Sequence, residues 1–252
     1  MDKPPRPEIM LEIRLPEIAT DSDSRQAYDE IYTEGDISQR QSFYLWLMDM
    51  FALQPGEVYL DISCGRVHLP KLARARGAIA HGLDLSHAAL KIGRERTGVS
   101  NVVTANSQEL PYASNSFDVI SNIGSMEHYV DMYAAVHEMT RVLKPGGRVY
   151  VLVPNTFSLT TNIWNAMRQG RTSIDEQPIQ RYAARLEWQA LIEEYGLVVE
   201  KTYKYEREWP RTRADLFYYF THPKDLARVL FRPFVPLNLA FCFVFVARKP
   251  GS

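Results

Sequence analysis

The stretch EVYLDISCGRVHLPKLARARGAIAHGLDLS at residues 57–86 decides the fold of this chain. Its pattern predicts a buried strand at 58–62, a tight loop at 63–66, a helix at 67–76 and a second strand at 79–83. That order is one βαβ unit, and its turn holds small residues where a ligand can lie close to the backbone. The stretch therefore predicts a parallel sheet with a ligand site at the carboxyl ends of its strands.

Two carboxylates mark the ends of these strands. Asp61 and Asp84 are 23 residues apart, close to the spacing of roughly 20 at which a strand-end acid meets the ribose hydroxyls of a nucleotide. Asp61 stands directly before the loop, where a carboxylate repels a pyrophosphate but attracts a cationic amino group. The residues thus favour a nucleoside with an ammonium and a sulfonium over a dinucleotide.

The composition limits the class of protein. The 252 residues, 46% of them hydrophobic, suffice for one large α/β domain or two small ones. A net charge of −1 argues against a nucleic-acid partner. Two distant cysteines, no signal-peptide core and no run of 18 apolar residues lead us to expect a cytoplasmic protein without a spanning helix. No His/Cys spacing indicates a metal site.

The N-terminal quarter divides into two parts. Residues 1–24, rich in proline and acids, are expected to form a disordered or extended arm, and 25–252 a single domain. Residues 25–53 predict two helices, which we interpret as a helical lid ahead of the first strand. Tyr28 and Tyr32 lie four apart on one face of the first helix, where they either pack in the core or fold over a ligand.

The core at 57–155 continues the alternation of strands and helices, which predicts a mostly parallel sheet covered on both faces. Residues 156–183 and 206–238 break the pattern and are expected to be substrate caps. The second cap joins aromatic residues to basic ones. It can cover an apolar substrate, contact a membrane surface through 216–238, or form a satellite core.

The motifs LDISCGRV, GLDLS, NSQELPYASNSFDVI, GSMEHY and EMTRVLKPGGRVYVLVPN follow one another in this order. In this combination the chain resembles the class I S-adenosylmethionine-dependent methyltransferases, of the small-molecule, type 11-like group. The resemblance covers residues 57–155 strongly and 184–248 loosely. It implies an α/β fold with a doubly wound, seven-stranded, mostly parallel Rossmann-like sheet and an antiparallel last strand at 239–247. The implied cofactor is S-adenosylmethionine, with S-adenosylhomocysteine as product.

The resemblance also implies roles for single residues. Asp61 and Ser63 would surround the methionine portion of the cofactor, and Asp84 would hold the ribose with Leu85 against the adenine. Asn106 stands where the family usually has an acidic residue at the adenine edge. The complete set of expected cofactor contacts is Tyr28, Tyr32, Asp61, Ser63, Cys64, Gly65, Asp84, Leu85, Asn106, Ser107, Gln108, Asn122, Ile123 and Gly124, the last three at the mouth for methyl transfer.

Two residues depart from the family pattern, which has glycine where this chain has Ser63 and Val67. A non-glycine residue held at left-handed φ costs on the order of 1–2 kcal/mol. That cost corresponds to roughly tenfold weaker cofactor binding if nothing offsets it. Cofactor binding therefore depends most on whether the rest of the protein offsets the strain in this loop.

For chemistry, the best placed base is His128 in GSMEHY, with Glu127 beside it. His128 can equally begin a helix or form a core hydrogen bond, and Glu127 can orient the cofactor. Aromatic residues of the lid and caps lead us to expect methyl transfer to a small, partly apolar molecule such as a quinol, a phenolic natural product or a lipid-linked sugar. The alternatives are a catalytically inactive binding or regulatory protein and an NAD-linked oxidoreductase.

Overall fold

The computed structural model describes residues 10–174 and 177–251. In chain order the main elements are β1 (Leu11–Arg14), α1 (Asp21–Glu34), α2 (Gln41–Phe51), β2 (Val58–Ile62), α3 (His68–Ala75), β3 (Ile79–Asp84), α4 (His87–Thr97), β4 (Val102–Thr104), β5 (Phe117–Ile123), α5 (Met132–Val142), β6 (Leu143–Pro154), α6 (Trp164–Gln169), β7 (Ile179–Tyr182), α7 (Arg185–Glu193), β8 (Val198–Tyr205), α8 (Arg213–Thr221), α9 (Pro223–Phe231) and β9 (Cys242–Arg248).

Seven strands form the central sheet in the order β4-β3-β2-β5-β6-β9-β8. The first five run parallel, and β9 is antiparallel to both of its neighbours. The predicted doubly wound sheet and its antiparallel last strand are confirmed. Because the chain adds β3 and β4 on one side of β2 and β5 on the other, the strand order reverses at β2. A ligand crevice is expected at such a reversal.

Helices cover both faces of this sheet. Side chains of β2 alternate between two cores, Leu60 and Ile62 on one face and Tyr59 on the other. The Tyr59 face packs against Phe43 and Leu47 of α2. The second helix of the expected lid therefore packs in the core, since strands buried on both faces need apolar helices above and below.

The N-terminal segment is more structured than the sequence suggested. Residues 1–9 of the predicted arm lie outside the described residues, but β1 pairs antiparallel with β7. Helix α1 begins at Asp21, before the predicted boundary at residue 25, because Thr20 and Asp23 form a reciprocal capping box. The strand was not predicted because its hydrogen-bond partner lies about 170 residues away, beyond local sequence patterns.

The two predicted caps have different structures. Residues 156–183 contain α6 and end in β7, while 206–238 contain α8 and α9. Neither cap adds a strand to the central sheet, and hydrogen bonds connect each of them to the body. None of the helices within 10–174 and 177–251 combines the length and apolar character needed to cross a membrane.

Candidate active site

A cavity of about 490 Å³ lies at the carboxyl ends of β2, β5 and β6, and a smaller one of about 70 Å³ adjoins it near the ends of β3 and β4. The two share part of their lining, including Tyr32, Ser63 and Gly124. Of the predicted residues, the larger cavity is lined by Tyr32, Asp61, Ser63, Cys64, Gly65, Ile123, Gly124, Glu127 and His128. The smaller is lined by Tyr28, Tyr32, Ser63, Asp84, Leu85, Asn106, Ser107, Gln108, Gly124 and His128.

The loop after β2 adopts the conformation that the family's glycines would favour. Ser63, Gly65 and Val67 have φ of 60°, 49° and 65°. The two non-glycine residues are therefore strained, as expected, by about 1–2 kcal/mol each, and the surrounding structure offsets this cost. The hydroxyl of Ser63 lies 2.7 Å from that of Tyr129. Val67 is completely buried.

Gly93 of α4 provides the space for Val67. A Cβ atom added at Gly93 would lie 2.4 Å from Cγ2 of Val67 and 2.9 Å from the carbonyl carbon of Arg66. The side chain of Val67, where the family has glycine, thus occupies space that is left by the absence of a side chain at Gly93. Packing of this kind can hold a residue in a strained conformation.

Asp84 stabilises the loop from the end of β3. Its Oδ2 accepts a hydrogen bond from the backbone N–H of Gly65 at 2.7 Å, and its Oδ1 accepts from Ser86 N at 2.8 Å. Burial raises the pKa of Asp84 to about 6, against the lowering effect of these two bonds. Each carboxylate oxygen has two lone pairs, so the group can still accept hydrogen bonds from a diol.

Asp61 is buried beside the same loop. Its Oδ1 accepts a hydrogen bond from the hydroxyl of Ser121 at 2.5 Å. Burial, and secondarily the nearby Asp84, raise the pKa of Asp61 to about 7. A buried carboxylate is costly to ionise without a cation beside it. The carboxylate of Asp61 lines the larger cavity, and among the described residues no basic side chain is bonded to it. This arrangement therefore fits a cationic group of a ligand.

Helix α1 lies across the smaller cavity. Asp21 accepts hydrogen bonds from the side-chain amides of Asn106 at 2.9 Å and Gln108 at 2.6 Å. Further along the helix, Asp29 accepts from Ser86 Oγ at 2.6 Å and from the backbone N–H of Ala88 at 3.0 Å. Both acids bind the helix to loops that follow β3 and β4.

The end of α1 is attached to the loop after β2. Arg66, 8% exposed, donates to the carbonyl oxygens of Tyr32 and Gly35 at 2.9 and 2.5 Å and pairs with Asp36 at 2.5 Å. The hydroxyl of Tyr32 lies directly over the loop, since a Cβ atom at Gly65 would be 2.7 Å from it. Only glycine at position 65 permits this approach.

Asn122 is the one predicted contact that lines neither cavity. Its Nδ2 donates to the hydroxyl of Tyr129 at 2.5 Å. Its Oδ1 is buried and has no hydrogen-bond partner among the residues that the structure describes. Because Tyr129 also contacts Ser63, Asn122 supports the wall of the site from behind.

Sequence reasoning missed three residues of this site. Tyr129 follows His128 directly in the GSMEHY motif, and burial raises its pKa. Asp21 and Asp29 lie on the helix that the sequence placed too late. The start of this helix can be located from the ATDSD stretch, because Thr20 and Asp23 have the spacing of a capping box.

His128 and Glu127 form part of the wall of the larger cavity, in a 3₁₀ turn after β5. The Nδ1 atom of His128 is hydrogen-bonded to the carbonyl oxygen of Ile179 in β7. A carbonyl only accepts, so Nδ1 carries the proton and Nε2 is the basic atom of the neutral ring. This Nε2 atom lies 3.8 Å from Oε1 of Glu127.

The opposite wall of the larger cavity comes from later elements. It includes Asn155 and Asn162 after β6, Tyr205 at the end of β8, Arg207 in the second cap, and Phe241. This wall offers both aromatic surface and hydrogen-bonding groups. In the part of the chain that the structure describes, no three His, Cys, Asp or Glu side chains are grouped to hold a metal ion.

Comparison with known proteins identifies the family. The methyltransferase domain family matches residues 60–151. The demethylmenaquinone methyltransferase of Staphylococcus haemolyticus is 27% identical over 189 residues, 72% of this chain and 71% of that protein. The match therefore extends beyond the cofactor-binding core. These matches support a class I S-adenosylmethionine-dependent methyltransferase.

Other methyltransferases match over different lengths. The ubiquinone/menaquinone biosynthesis C-methyltransferase UbiE of Cereibacter sphaeroides is 35% identical over 119 residues, which are 43% of this chain and 48% of that protein. The crystal structure of the 1,6-didemethyltoxoflavin-N1-methyltransferase of Burkholderia thailandensis has a TM-score of 0.60 at 16% identity and covers 96% of this chain and 95% of its own. At that identity the likeness extends to the fold alone. As in this methyltransferase family generally, the cofactor is S-adenosylmethionine.

Proposed function

We propose that this methyltransferase transfers the methyl group of S-adenosylmethionine to a small, partly apolar acceptor bound in the larger cavity. The observation that carries the proposal is the pair of buried carboxylates, Asp61 and Asp84, on neighbouring parallel strands beside a left-handed loop. Asp61 would hold the cationic amino group of the methionine portion, directly or through water. Asp84 would accept the ribose hydroxyls, with Leu85 against the adenine.

Asp21 extends this assignment to the adenine edge. Where the family usually has an acidic residue, this chain has Asn106, yet the carboxylate of Asp21 lies 2.9 Å from that amide and lines the smaller cavity. We infer that the acid is supplied by α1 instead of by the strand end. An amino group on the adenine edge would donate to Asp21, which Asn106 and Gln108 hold in place.

Replacing the adenine amine by a carbonyl tests this role. S-inosylhomocysteine should bind the wild type more weakly than S-adenosylhomocysteine by roughly tenfold, the cost of one charge-assisted hydrogen bond. Asp21→Asn should lose most of that discrimination. Asp29→Ala, which loosens the same helix without facing the cavity, should retain it. Equal discrimination in both variants would refute the role of Asp21.

The cofactor supplies an electrophilic methyl group on sulfur, and the chain's own residues position the acceptor and remove its proton. An acceptor hydroxyl or acidic carbon in the larger cavity would lose its proton to Nε2 of His128. Ile179 holds the ring in the required tautomer. Asp61, Glu127 and His128 are themselves buried, so a bound cofactor and acceptor would displace most of the water near the reacting atoms.

For the acceptor, we propose a quinol or related phenol. Support comes from the names of two relatives, a demethylmenaquinone methyltransferase and a ubiquinone/menaquinone biosynthesis C-methyltransferase. It also comes from the aromatic part of the cavity wall, Tyr205 and Phe241, which suits a planar ring. Neither the inactive binding protein nor the NAD-linked oxidoreductase is favoured by the comparisons.

The test is a transfer assay with methyl-labelled S-adenosylmethionine and a panel of acceptors. The panel contains demethylmenaquinol with a shortened side chain, a simple phenol, and an aliphatic alcohol of similar size. Labelled product from the quinol or the phenol, with none from the aliphatic alcohol, is the expected result. His128→Gln should lower kcat while cofactor affinity stays unchanged. Transfer to none of these acceptors by a protein that binds the cofactor would contradict the proposed acceptor class.

A further inference from the structure

The second cap carries an apolar surface that faces outward. On α8, Leu216, Phe217 and Phe220 are 47%, 70% and 71% exposed. On α9 and the turn after it, Leu230, Phe231 and Phe234 are 53%, 63% and 80% exposed. We call these six residues the cap face. Its four phenylalanines together expose on the order of 500 Å² of apolar area.

The polarity of these two helices is inverted relative to ordinary surface helices. Each exposed set recurs at helical spacing, so it occupies one side of its helix. The opposite side carries the buried Tyr219 and Val229, together with polar groups that bind α2, the first cap and each other. Asp215 accepts hydrogen bonds from the N–H and hydroxyl of Ser42, at 2.8 and 2.5 Å. Tyr218 donates to Asp225 at 2.6 Å, and Arg228 to Thr160 at 3.3 Å.

The exposed, unpaired charges on the two helices of the second cap are of one sign. The acids of residues 206–238 are Glu206, Glu208, Asp215 and Asp225; the first three are buried, and the fourth is engaged by Arg207 at 3.5 Å and Arg40 at 3.6 Å. Arg213 and Lys224, by contrast, are exposed at the N-terminal ends of α8 and α9. Neither belongs to an ion pair among the described residues. The rim is therefore cationic.

We propose that the cap face is a docking surface for an anionic lipid bilayer. Two helices that lie in the interface plane, with phenylalanines in the acyl boundary and basic residues among the headgroups, have the physical pattern of a monotopic membrane contact. Each basic residue near an anionic surface contributes about 1 kcal/mol. A protein partner would have to combine an apolar groove with an acidic rim, and the bilayer meets both requirements without a specific shape.

The cap that carries this face also contributes to the acceptor side of the active site. Arg207, at the start of the cap, lines the larger cavity. Arg228 of α9 lies over the ring of Phe241, which lines the same cavity, at 4.8 Å. Docking would therefore bring the acceptor end of the site near the bilayer, whatever the acceptor is.

The test is flotation of the full chain with vesicles. Vesicles of phosphatidylglycerol and phosphatidylcholine should bind the protein at least tenfold more than pure phosphatidylcholine, and added salt should weaken the binding. Arg213→Glu/Lys224→Glu should reduce binding by about 30-fold or more, equivalent to about 1 kcal/mol for each lost contact. The control Lys71→Glu/Lys91→Glu has the same net charge but alters α3 and α4, and it should bind as the wild type does.

The apolar contribution has its own pair of variants. Phe217→Ser/Phe231→Ser should lose at least tenfold of the vesicle binding. Leu186→Ser, at a position 62% exposed on α7, should lose none. Cofactor binding verifies that each variant is folded. In Phe220→Trp, quenching of fluorescence by brominated acyl chains should demonstrate insertion.

Three results would overturn the proposal. The first is equal binding to charged and neutral vesicles, and the second is equal loss in the control and cap-face variants. The third is a wild type that does not bind vesicles but self-associates in a concentration-dependent way, with this self-association abolished in the cap-face variants. That last result would mean that the surface binds a second copy of the chain.

Discussion

At the scale of single residues, Asp61 decides whether the site suits a cationic cofactor. Its carboxyl group has a pKa of about 7 in the folded protein and about 3.9 in an unfolded chain. Between these values the folded state binds more protons than the unfolded state. The free energy of unfolding of the cofactor-free protein therefore falls as pH rises from about 4 to about 7.

Asp61→Asn should separate stability from function. The amide still accepts from Ser121 but carries no charge, so at about pH 8 the variant should be more stable than the wild type by roughly 1–3 kcal/mol. This gain should shrink towards about pH 4, while affinity for S-adenosylmethionine falls at least tenfold. Thermal unfolding across pH and calorimetric titration measure the two effects. A gain independent of pH would show that the charge is not its cause.

The affinity of the wild type should also depend on pH. Protonation of Asp61 removes the attraction for the cofactor's ammonium, so affinity should rise between about pH 5.5 and about pH 7, below the range where an α-amino group loses its proton. Asp61→Asn provides the control and should show a smaller rise over the same range, because only Asp84, with a pKa of about 6, still titrates there. A flat profile in the wild type would contradict the predicted contact.

Val67 and Gly93 form a pair whose substitutions should not be additive. Gly93→Ala places a methyl group against Cγ2 of Val67 and the backbone of Arg66, and should destabilise the protein by roughly 1–3 kcal/mol. Val67→Ala should recover part of this loss in the double variant. Urea unfolding of the four proteins gives the coupling energy. Strict additivity would mean that α4 does not support the strained loop through this contact.

At the scale of elements, α1 works as a cover that is held at both ends. Asp21 at its start and Asp29 beyond its middle bind loops of the core, and at its end Arg66 holds the carbonyls of Tyr32 and Gly35. Since the helix lies over the smaller cavity, we expect it to control entry and exit of a cofactor bound there.

Asp29→Ala should loosen this cover without removing a cofactor contact. The variant loses the bonds to Ser86 and Ala88, so amide hydrogens of residues 21–34 should exchange several-fold faster. Association and dissociation of S-adenosylhomocysteine should both accelerate, with a smaller change in Kd. Glu30→Ala is the matched control on the exposed side of the same helix. Unchanged exchange in Asp29→Ala would mean that this contact does not hold the helix closed.

At the scale of the whole molecule, local patterns predicted the central sheet well. The βαβ stretch, the apolar parallel strands and the spacing of Asp61 and Asp84 are features of neighbouring residues. Long-range pairs escaped prediction. The β1–β7 ribbon, the contact of His128 with Ile179, and the return of Asp21 to Asn106 each join distant segments. No periodicity within one segment encodes such partners.

The positive φ values of Ser63 and Val67 illustrate both what the sequence predicted and what it did not. The sequence indicated where strain would lie, because glycine is the residue that tolerates that conformation. It did not indicate that Tyr129 and Gly93 would accommodate the two side chains. Those compensations depend on how β5 and α4 pack around the loop.

Calorimetric titration measures whether the carboxyl ends of the parallel strands bind S-adenosylmethionine. The wild type should bind S-adenosylmethionine and S-adenosylhomocysteine, and Asp84→Ala should weaken both by about tenfold or more. Glu109→Ala, an exposed acid beside the same loops, should bind as the wild type does. No heat with either ligand at about millimolar concentration, or equal affinity in Asp84→Ala and the wild type, would contradict the account.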